Sequence, residues 1–311
     1  MIIFNSLDEI KDIDETVIAL GNFDGVHRGH QEIIAKTVNS AKATNLKSAV
    51  FTFSNHTRTI IKDAPVVKNI QYPHEKAAMI ESLGVDYLFN IPFTREIMNM
   101  SPEAFIDEIL VGKMRIKEAY CGFNYRFGHM AKGNPEVLMH EGLKRGFGIH
   151  VQEAYVIDDV IASSTYVREM IAKGNMEECN KFLGRQYYIG GEVVEGNKIG
   201  RTIGFPTCNI SADSNMAIPP NGVYITYCKL RDKVYPSVTN VGVKPTVGTF
   251  DRNIETHIFN FNEDVYGEYI EVRFVKQTRP EMRFGGIEAL SDQIAKDCIQ
   301  AKSYHREKGM L

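Results

Sequence analysis

The spacing of apolar residues changes near Gly184, and this change divides the chain into two patterns. Before Gly184, apolar runs of strand length alternate with segments in which apolar residues recur every three or four positions, as on one face of a helix. After it, short runs rich in β-branched and aromatic residues follow one another, separated by Gly, Pro and Asn. The change predicts two domains, 1–184 with alternating strands and helices and 185–311 built mainly from strands.

In the first domain the predicted strands and helices alternate along the chain. The predicted strands lie at Val17–Leu20, from Lys47, from Val85, near Glu118–Cys121 and within Gly148–Ile157, and the predicted helices at Ile33–Ala41, His74–Leu83, Pro102 to about Met114, from Asn134 and at Asn175–Leu183. Such alternation is typical of a parallel sheet covered by helices on both faces, which binds ligands at the carboxyl ends of its strands. We therefore predict a doubly wound α/β domain.

The second domain contains six β-rich runs. They begin at Tyr187, Phe205, Gly222, Lys233, Ile254 and Tyr269. Arg231–Lys233 is short enough to form a hairpin loop. Successive antiparallel strands of this kind tend to close on themselves, so we predict a six-stranded antiparallel β-barrel. A terminal helix, about Gly286–Glu307, follows. We expect one face of this helix to pack on the barrel through Ile287, Leu290, Ile294, Cys298 and Ala301.

Composition narrows the class of protein. The 311 residues carry a formal net charge of -3 and contain 24% charged residues, without the dense Lys/Arg block that a nucleic-acid partner favours. No apolar run approaches the ~18 residues of a membrane helix, and the N-terminus does not resemble a signal peptide. Five scattered cysteines, an odd number, indicate reduced thiols. We therefore expect a cytoplasmic protein without nucleic-acid or membrane partners; the sequence does not fix its oligomeric state.

The segment GNFDGVHRGH, Gly21–His30, joins the first predicted strand to the first predicted helix. Glycines in such a turn let a ligand approach the backbone, while free N–H groups and the positive end of the helix dipole attract anions. Imidazoles at the same place can donate hydrogen bonds to phosphate. The pattern therefore predicts a phosphate site. The residues assigned to it are Gly21, Asn22, Phe23, Asp24, Gly25, His27, Gly29 and His30.

Other interpretations of this segment exist. Asp24-Gly25 by itself is an ordinary turn signal, and two histidines three residues apart could be half of a zinc site. Zinc is disfavoured because no Cys pair or second His pair stands at ligand spacing elsewhere in the chain.

Two further segments are expected at the same edge of the sheet. Gly122–Asn134 is a long polar loop after a strand, where ligands often bind, although it could be a plain surface loop. Ala162–Arg168 opens a helix with three hydroxyl residues, which could be simple caps or, with Arg168, a second anion site. The candidate residues in these segments are Asn124, Arg126, Phe127, Ser163, Ser164, Thr165 and Arg168.

In the second domain, candidate chemistry lies in Gly196–Asn209 and at Glu255. The glycine-rich segment lacks the Gly-Lys-Ser/Thr of a Walker A motif, so a glycine-rich hairpin is the alternative. Thr207 and Asn209 lie on one face of a short strand and can offer two neutral oxygens to magnesium, which otherwise takes phosphate and water. Glu255 opens a strand, where a solvent-facing carboxylate is common.

These motifs together resemble one known family. GNFDGVHRGH is similar to the H-x-G-H signature of the nucleotidyltransferase superfamily, in the form typical of prokaryotic FAD synthetases, and Ser163–Arg168 resembles their S-S-T-x-x-R signature. GRTIGFPTCNI from Gly200, IETHIFNF from Ile254 and TRPEMRF from Thr278 resemble, in order and spacing, the riboflavin kinase domain fused behind bacterial FAD synthetases. The resemblance extends from about Val17 to Ala301.

The resemblance implies roles for the candidate residues. It implies that His27, His30 and Arg168 act in catalysis in the first domain. It implies that Glu255 is the general base in the second domain. It implies ATP or phosphate contacts for the turn residues above and for Ser163, Ser164, Thr165, Gly196, Gly200, Arg201 and Gly204. It implies flavin contacts for Asn124, Arg126, Phe127 and Arg279, and magnesium binding by Thr207 and Asn209.

The resemblance also implies a reaction sequence. The second domain would transfer the γ-phosphoryl of MgATP to riboflavin, giving FMN and ADP. The first domain would transfer AMP from ATP to FMN, giving FAD and pyrophosphate. Two alternatives stay open: an enzyme with one activity whose barrel only docks flavin, and a flavin sensor or store without catalysis.

Overall fold

A computed structural model describes residues 1–55, 67–196, 199–246 and 249–311, apart from the side chains at 199, 201, 244–246 and 249–251. Within these residues the chain forms two compact units, Met1–Ser164 and Thr165–Leu311. The division falls before Gly184. The domain boundary between residues 184 and 185 stays a prediction.

The first unit is an α/β unit. Its elements are β1 (Ile2–Phe4), β2 (Thr16–Leu20), α1 (Arg28–Thr44), β3 (Lys47–Phe53), α2 (Pro73–Ser82), β4 (Tyr87–Ile91), α3 (Arg95–Asn99), α4 (Pro102–Ala104), a π-helix (Phe105–Lys113), β5 (Ile116–Gly122), α5 (Pro135–Arg145), β6 (Gly148–Gln152) and the hairpin β7 (Val156–Ile157) and β8 (Val160–Ile161). Among the described residues, six strands form a parallel sheet in the order β1-β4-β3-β2-β5-β6. The predicted fold class of this region is confirmed.

Helices cover both faces of this sheet because successive strand side chains point to opposite sides. In β2, Ile18 and Leu20 belong to a core cluster that includes Ile106 of the π-helix, whereas Ala19 belongs to a second cluster with Ile34 of α1. Burial of each such aliphatic side chain contributes roughly 1.5–3 kcal/mol. Strand β2 is therefore fixed from both sides, and its last residue is an anchored starting point for the turn that follows.

The first unit differs from the sequence prediction in several details, among them the unpredicted helix α3 and the hairpin of β7 and β8. The prediction missed β1, which pairs in parallel with β4 at the edge of the sheet; three residues are too few to show a strand period. The helix predicted from Pro102 begins as expected, with Ser101 Oγ accepting a hydrogen bond from Ala104 N at 3.1 Å. It then continues as a π-helix from Phe105, a form that apolar spacing does not distinguish from an α-helix.

The second unit is a closed antiparallel barrel with helices attached. Its elements are α6 (Ser164–Lys173, which begins one residue before the unit), α7 (Met176–Leu183), β9 (Tyr187–Val194), α8 (Ile199–Thr202), β10 (Cys208–Ser211), β11 (Gly222–Leu230), β12 (Lys233–Thr246), β13 (Thr249–Ile258), β14 (Tyr269–Pro280) and α9 (Ile287–Glu307). Six of the described strands close in the order β10-β13-β12-β11-β14-β9. The predicted barrel with its terminal helix is confirmed.

Helix α7 is attached to the barrel by hydrogen bonds. Asn180 Nδ2 donates to the Phe274 carbonyl at 2.8 Å, and Asn180 Oδ1 accepts from Tyr187 N at 2.7 Å. Gly184 ends the helix in the left-handed region, with φ 71°, as the sequence predicted.

The predicted contact face of α9 is correct only in part. Cys298 and Ala301 are buried against the barrel, but Ile287 is 60% exposed. Leu290 and Ile294 line an open cavity. The first turn of α9 is exposed, so the apolar face extends further along the helix than the packing does.

Four hydroxyl side chains, here named the hydroxyl cluster, lie inside the barrel: Thr226, Ser237, Thr239 and Thr256, all with 0% exposure. Thr226 Oγ1 lies 2.8 Å from Ser237 Oγ and 2.7 Å from Thr239 Oγ1, and Thr239 Oγ1 lies 2.9 Å from Thr256 Oγ1. The cluster therefore satisfies its own polar groups without water.

Candidate active sites

The turn that follows β2 has an unusual backbone. Phe23, Gly25 and Val26 have φ values of 49°, 79° and 36°. Residues other than glycine rarely adopt such backbone angles, and β-branched residues do so least readily. The cost is of order 1–3 kcal/mol per residue. Such strain persists only where the surrounding structure fixes it.

Several hydrogen bonds fix this turn. Both oxygens of the Asp24 carboxylate accept from Ile70 N, at 3.1 and 3.3 Å. Ser164 Oγ donates to the Asp24 carbonyl at 2.8 Å, and Gln31 Nε2 donates to the Val26 carbonyl at 2.8 Å. Two sequence-predicted segments, the Gly21–His30 turn and the serine pair, are thus joined directly. Asp24, assigned from sequence to the phosphate site, here binds backbone N–H.

The two histidines of the turn stack at the start of α1. Their ring centroids are 3.6 Å apart with an angle of 20° between planes, and Phe23 packs edge-on against His30 at 5.1 Å. His27 caps the helix, since its Nδ1 accepts from His30 N at 3.4 Å. The first turn of α1 contains no acidic residue. An anion at this helix N-terminus therefore meets no competing carboxylate within that turn.

His30 is neutral at physiological pH. Burial lowers the pKa of its imidazole well below 6.5, and the neighbouring His27 and Lys76 lower it further. Its Nδ1 atom is buried and has no hydrogen-bond partner among the described residues. A buried polar atom of this kind is costly, and an arriving phosphate oxygen can supply the missing contact.

Lys76 of α2 also reaches the turn, although no sequence pattern marks it. The side chain is 7% exposed. Its Nζ donates to the carbonyls of Asn22 at 3.4 Å and Phe53 at 2.9 Å, and to Thr52 Oγ1 at 3.0 Å. Burial lowers the pKa of Lys76 to about 8, and the Asp24 carboxylate opposes that shift. Lys76 also lines a polar cavity of about 40 Å³ beside the turn.

The glycines of the turn are tightly surrounded. A Cβ at Gly25 would lie 2.9 Å from Ile70, and one at Gly21 would lie 3.0 Å from the Phe23 ring. A Cβ at Gly29 would lie 3.3 Å from the His27 ring. Glycine therefore lets the backbone and the two imidazoles occupy one small region.

The predicted flavin loop starts beside the turn. Strands β2 and β5 are parallel neighbours with Leu20 opposite Cys121, so both chains leave the sheet at the same edge. Asn124 and Arg126 are exposed, and Arg126 donates to the Tyr125 carbonyl at 3.0 Å. Phe127 is only 6% exposed and belongs to the core. The structure thus presents two of the three predicted flavin residues at the surface and places the third in packing.

The hydroxyl signature lies at the start of α6. Ser163 and Ser164 are half-buried in the first unit, and Thr165 is exposed. Arg168 follows four residues after Ser164 on the same helix and is half-buried. The chain thus presents these groups at a helix start, as the sequence predicted.

A cavity of about 350 Å³ opens in the second unit. It brings together five sequence-predicted site residues: Gly200, Thr207, Asn209, Glu255 and Arg279. Apolar and aromatic side chains, among them Phe205, Val223, Met282 and Phe284, form much of the remaining wall. An apolar slot with a few convergent polar groups is typical of a small-molecule site.

Strand register places the polar groups of this cavity. Glu255 lies opposite Asn209 of β10 and opposite Asn240 of β12. Asn253, on the same face of β13, donates through Nδ2 to Glu255 Oε1 at 2.8 Å and to Asn209 Oδ1 at 3.2 Å. One amide thus orients both a carboxylate and a neutral oxygen, and the sequence analysis did not identify it.

Arg279 is held by a carboxylate that the sequence analysis also missed. Its guanidinium donates to Asp297 of α9, with NH2 to Oδ2 at 2.7 Å and Nε to Oδ1 at 3.0 Å. The two side chains are 16% and 6% exposed, and Phe284 lies under the guanidinium at 5.9 Å. Helical periodicity did not single out Asp297, because this residue is next in sequence to Cys298, which the apolar pattern places on the packed face.

The glycine-rich segment is tightly placed around Asn209. A Cβ at Gly196 would lie 2.5 Å from the Asn209 amide, and one at Gly200 would collide with the Phe205 carbonyl. Gly204 has φ 86° and open space around it. The Arg201 side chain lies outside the described residues.

The donor set of the cavity fits magnesium. Thr207 and Asn209 offer neutral oxygens, and Glu255 adds a carboxylate nearby. Magnesium takes few protein ligands and completes its octahedron with substrate phosphate and water. Within the described residues, no group of three or more His, Cys, Asp or Glu side chains could hold a metal ion.

Two protein families match the chain. The FAD synthetase family matches residues 9–166, and the riboflavin kinase family matches residues 183–305. The bifunctional riboflavin kinase/FMN adenylyltransferase of Bacillus subtilis strain 168 is 36% identical over 296 residues, covering 93% of this chain and 92% of that protein. The protein of the same name from Escherichia coli K12 is 32% identical over 289 residues, with the same coverage.

A solved structure resembles the whole chain. It is titled a macrolide-efflux protein from Streptococcus pneumoniae, has a TM-score of 0.88 and 28% identity, and covers 97% of this chain and 98% of its own. The word efflux in this name applies to the Streptococcus pneumoniae protein and not to the present chain. In the part of the present chain that the structure describes, no helix has the length and apolar character needed to cross a membrane.

An FAD synthetase region followed by a riboflavin kinase region defines a two-domain enzyme of flavin nucleotide synthesis. The chain belongs to the family of bifunctional riboflavin kinase/FMN adenylyltransferases. It phosphorylates riboflavin to FMN with ATP and transfers AMP from ATP to FMN, giving FAD. Membership of this family excludes both alternatives, an enzyme with a single activity and a flavin sensor or store, since the relatives are named for both activities.

Proposed function

We propose that the barrel cavity is the riboflavin kinase site and that the Gly21–His30 turn is the adenylyltransferase site. The observation that carries the first assignment is the register that sets Glu255 opposite Asn209 in one cavity. The second rests on two stacked imidazoles at a helix N-terminus, one of them with an unsatisfied buried nitrogen. We also propose that the activities divide between residues 1–184 and 185–311.

In the kinase site, Glu255 accepts the proton of the riboflavin 5′-hydroxyl as the hydroxyl oxygen attacks the γ-phosphorus of ATP. The bond from the γ-phosphorus to the bridging oxygen breaks, and ADP leaves. Asn253 holds one carboxylate oxygen of Glu255 and so orients the base. The apolar wall receives the flavin ring, and the ion pair with Asp297 positions Arg279 beside it. Gly196, Gly200, Arg201 and Gly204 form the segment that covers the ATP phosphates.

Thr207 and Asn209 would hold magnesium together with the ATP phosphates. When bound, the ion neutralises charge on the transferred phosphoryl group. Asn253 donates to Asn209 Oδ1, which leaves that oxygen a further lone pair for the cation.

In the adenylyltransferase site, the FMN phosphate attacks the α-phosphorus of ATP and pyrophosphate leaves. The nucleophile is already an anion, so no base is needed. His27, His30, Ser163, Ser164, Thr165 and Arg168 stabilise the charge that develops on the α-phosphate and pyrophosphate. Asn124, Arg126 and Phe127 belong to the loop that holds the flavin.

The free thiols support a cytoplasmic location.

A complementation experiment tests both assignments. Each of the variants His30→Ala and Glu255→Gln is incubated with riboflavin, ATP and magnesium, and the flavins are separated over time. We expect FMN alone from the first variant, unchanged riboflavin from the second, and FAD from their mixture. FMN released by one variant then serves as substrate for the other.

Two outcomes would contradict the assignments. FAD from His30→Ala alone at the wild-type rate would remove the turn as the adenylyl-transfer site, and FMN from Glu255→Gln at the wild-type rate would remove Glu255 as the base. If the mixture made no FAD although Glu255→Gln converted added FMN, free exchange of FMN between molecules would be excluded.

A further inference from the structure

Lys76 stands in a costly position. It lies in the first turn of α2, where the helix dipole disfavours a cation. Its side chain is 7% exposed, and burial of an ammonium group is expensive unless it is paired and hydrogen-bonded. Burial lowers the pKa of Lys76 to about 8, so the group is mostly charged at neutral pH. A buried charge placed against a helix dipole calls for an explanation in the contacts that it makes.

The contacts of Lys76 all lead to one place. They go to the carbonyl of Asn22 at the beginning of the strained turn and to Thr52 and Phe53 at the end of β3. Thr52 Oγ1 also donates to the Asn22 carbonyl, at 2.8 Å. Lys76 and Thr52 thus form a link, here named the Lys76 link, between the end of β3 and the residue before Phe23, where the left-handed backbone starts.

Lys76 also acts through its charge. The Asp24 carboxylate of the turn raises its pKa, and Lys76 in turn lowers the pKa of His30. The ammonium therefore helps to keep His30 neutral before substrate arrives. Its Nζ lies within hydrogen-bond distance of three protein oxygens, so the structure favours action through the turn over direct contact with a substrate.

We propose that Lys76 is a positioning residue for adenylyl transfer: the Lys76 link fixes the strained turn so that His27 and His30 face the reacting phosphates. The inference rests on the proposed function of the turn. It predicts that loss of the link displaces the imidazoles without removing either of them, and that riboflavin phosphorylation in the other unit is unaffected.

The test compares four single variants and one double variant in the full chain with magnesium and saturating ATP. Lys76→Met removes the donors and the charge, Lys76→Arg keeps both, and Thr52→Val removes only the shared hydroxyl. Lys113→Met is the matched control, since Lys113 is exposed in the same unit. For each variant, kcat and KM for FMN adenylylation are measured together with the rate of riboflavin phosphorylation and the hydrogen exchange of the first unit.

For Lys76→Met we expect kcat of FMN adenylylation to fall ~10- to 100-fold, the effect of a displacement near 1 Å. KM for FMN should stay within about threefold, since the flavin loop is untouched. Lys76→Arg should recover most of the loss, and Thr52→Val should lose less than Lys76→Met. The double variant Thr52→Val/Lys76→Met should be no slower than Lys76→Met alone, because both changes break the same link.

Three results would overturn the inference. The first is a folded Lys76→Met protein with kcat within about twofold of wild type. The second is an equal loss in Lys113→Met, and the third is recovery of Lys76→Met on cooling, which would indicate stability alone. His30→Ala separates this inference from the function it rests on. If His30→Ala made FAD at the wild-type rate, the site assignment would fail; if only Lys76→Met kept full activity, the site would stand without the Lys76 link.

Discussion

The turn in the first unit is made of ten consecutive residues, whereas the cavity in the second unit collects side chains between Gly200 and Asp297. In the turn, the reacting groups owe their positions to local backbone angles that three residues hold in the left-handed region. In the cavity, they owe their positions to strand pairing, which brings Glu255 opposite Asn209. The first site therefore depends on what restrains a short segment, and the second on the register of a whole barrel.

The largest effect is expected from Glu255→Gln, which tests the cavity alone. Riboflavin phosphorylation should fall ~10²- to 10⁴-fold, because general-base catalysis contributes about that factor. Adenylylation of added FMN should be unchanged. Both are measured as initial rates by separation of the flavins. Glu192→Gln, an exposed change on β9, is the control. A Glu255→Gln protein that loses both activities equally would break the comparison, because the two sites would not act independently.

His30→Ala is the corresponding change in the turn. FAD formation from FMN should fall ~10²- to 10³-fold, the usual effect of removing one group that stabilises transition-state charge. FMN formation from riboflavin should continue at the wild-type rate. His140→Ala on α5, whose side chain is 67% exposed, controls for loss of an imidazole elsewhere in the unit. Loss of FMN formation in a folded His30→Ala protein would contradict two separate sites.

Asp297→Asn tests how the cavity is supported. Removing one partner from a buried ion pair costs about 3 kcal/mol, because the Arg279 guanidinium stays buried without its counter-charge. We expect the urea midpoint of the barrel to fall and KM for riboflavin to rise, while FMN adenylylation keeps its rate. Asp292→Asn, exposed on the same helix, should change neither quantity. If Asp297→Asn left both quantities at wild-type values, Arg279 would not depend on this carboxylate.

The smallest effect is the pH dependence that His30 gives to the stability of the first unit. The folded pKa of His30 lies well below its unfolded value near 6.5, so the unfolded chain binds the proton first as pH falls. Stability is therefore fully present above pH 6.5 and declines below it, by at most about 1.4 kcal/mol per pH unit. His30→Gln should lack this decline. Urea unfolding followed by pulsed hydrogen exchange at pH 7.5, 6.5 and 5.5 measures it, and parallel curves for the two proteins would contradict it.

The two regions also differ in how much of them could be predicted from sequence. The alternation of apolar runs predicted the parallel sheet and the barrel, and the glycine and histidine spacing located the turn. The residues that support the turn could not be found in this way. Lys76 lies far along the chain on a helix, and its position becomes meaningful only when α2 packs beside β3.

The cavity required more than periodicity. Thr207, Asn209 and Glu255 were assigned through a family resemblance, because a single glutamate in a strand has no distinctive pattern. Asn253 and Asp297 were missed, since their roles come from cross-strand and helix contacts. Ile287 was placed on the packed face because a helical pattern states which side is apolar, not where the covered surface ends.

The hydroxyl cluster inside the barrel has a consequence for how this sequence can change over time. The hydroxyls form a chain in the order Ser237, Thr226, Thr239, Thr256, so replacing Thr226 or Thr239 by an apolar residue leaves a buried end member without its partner in the cluster, at about 1–3 kcal/mol. Replacing both partners of a pair together can be nearly neutral. Substitution of Thr226 or Thr239 is therefore expected to be accompanied by a change at Ser237 or Thr256, whereas the surrounding aliphatic positions can exchange singly. A substitution of a hydroxyl residue in one strand of this barrel is expected to require a second substitution in the neighbouring strand.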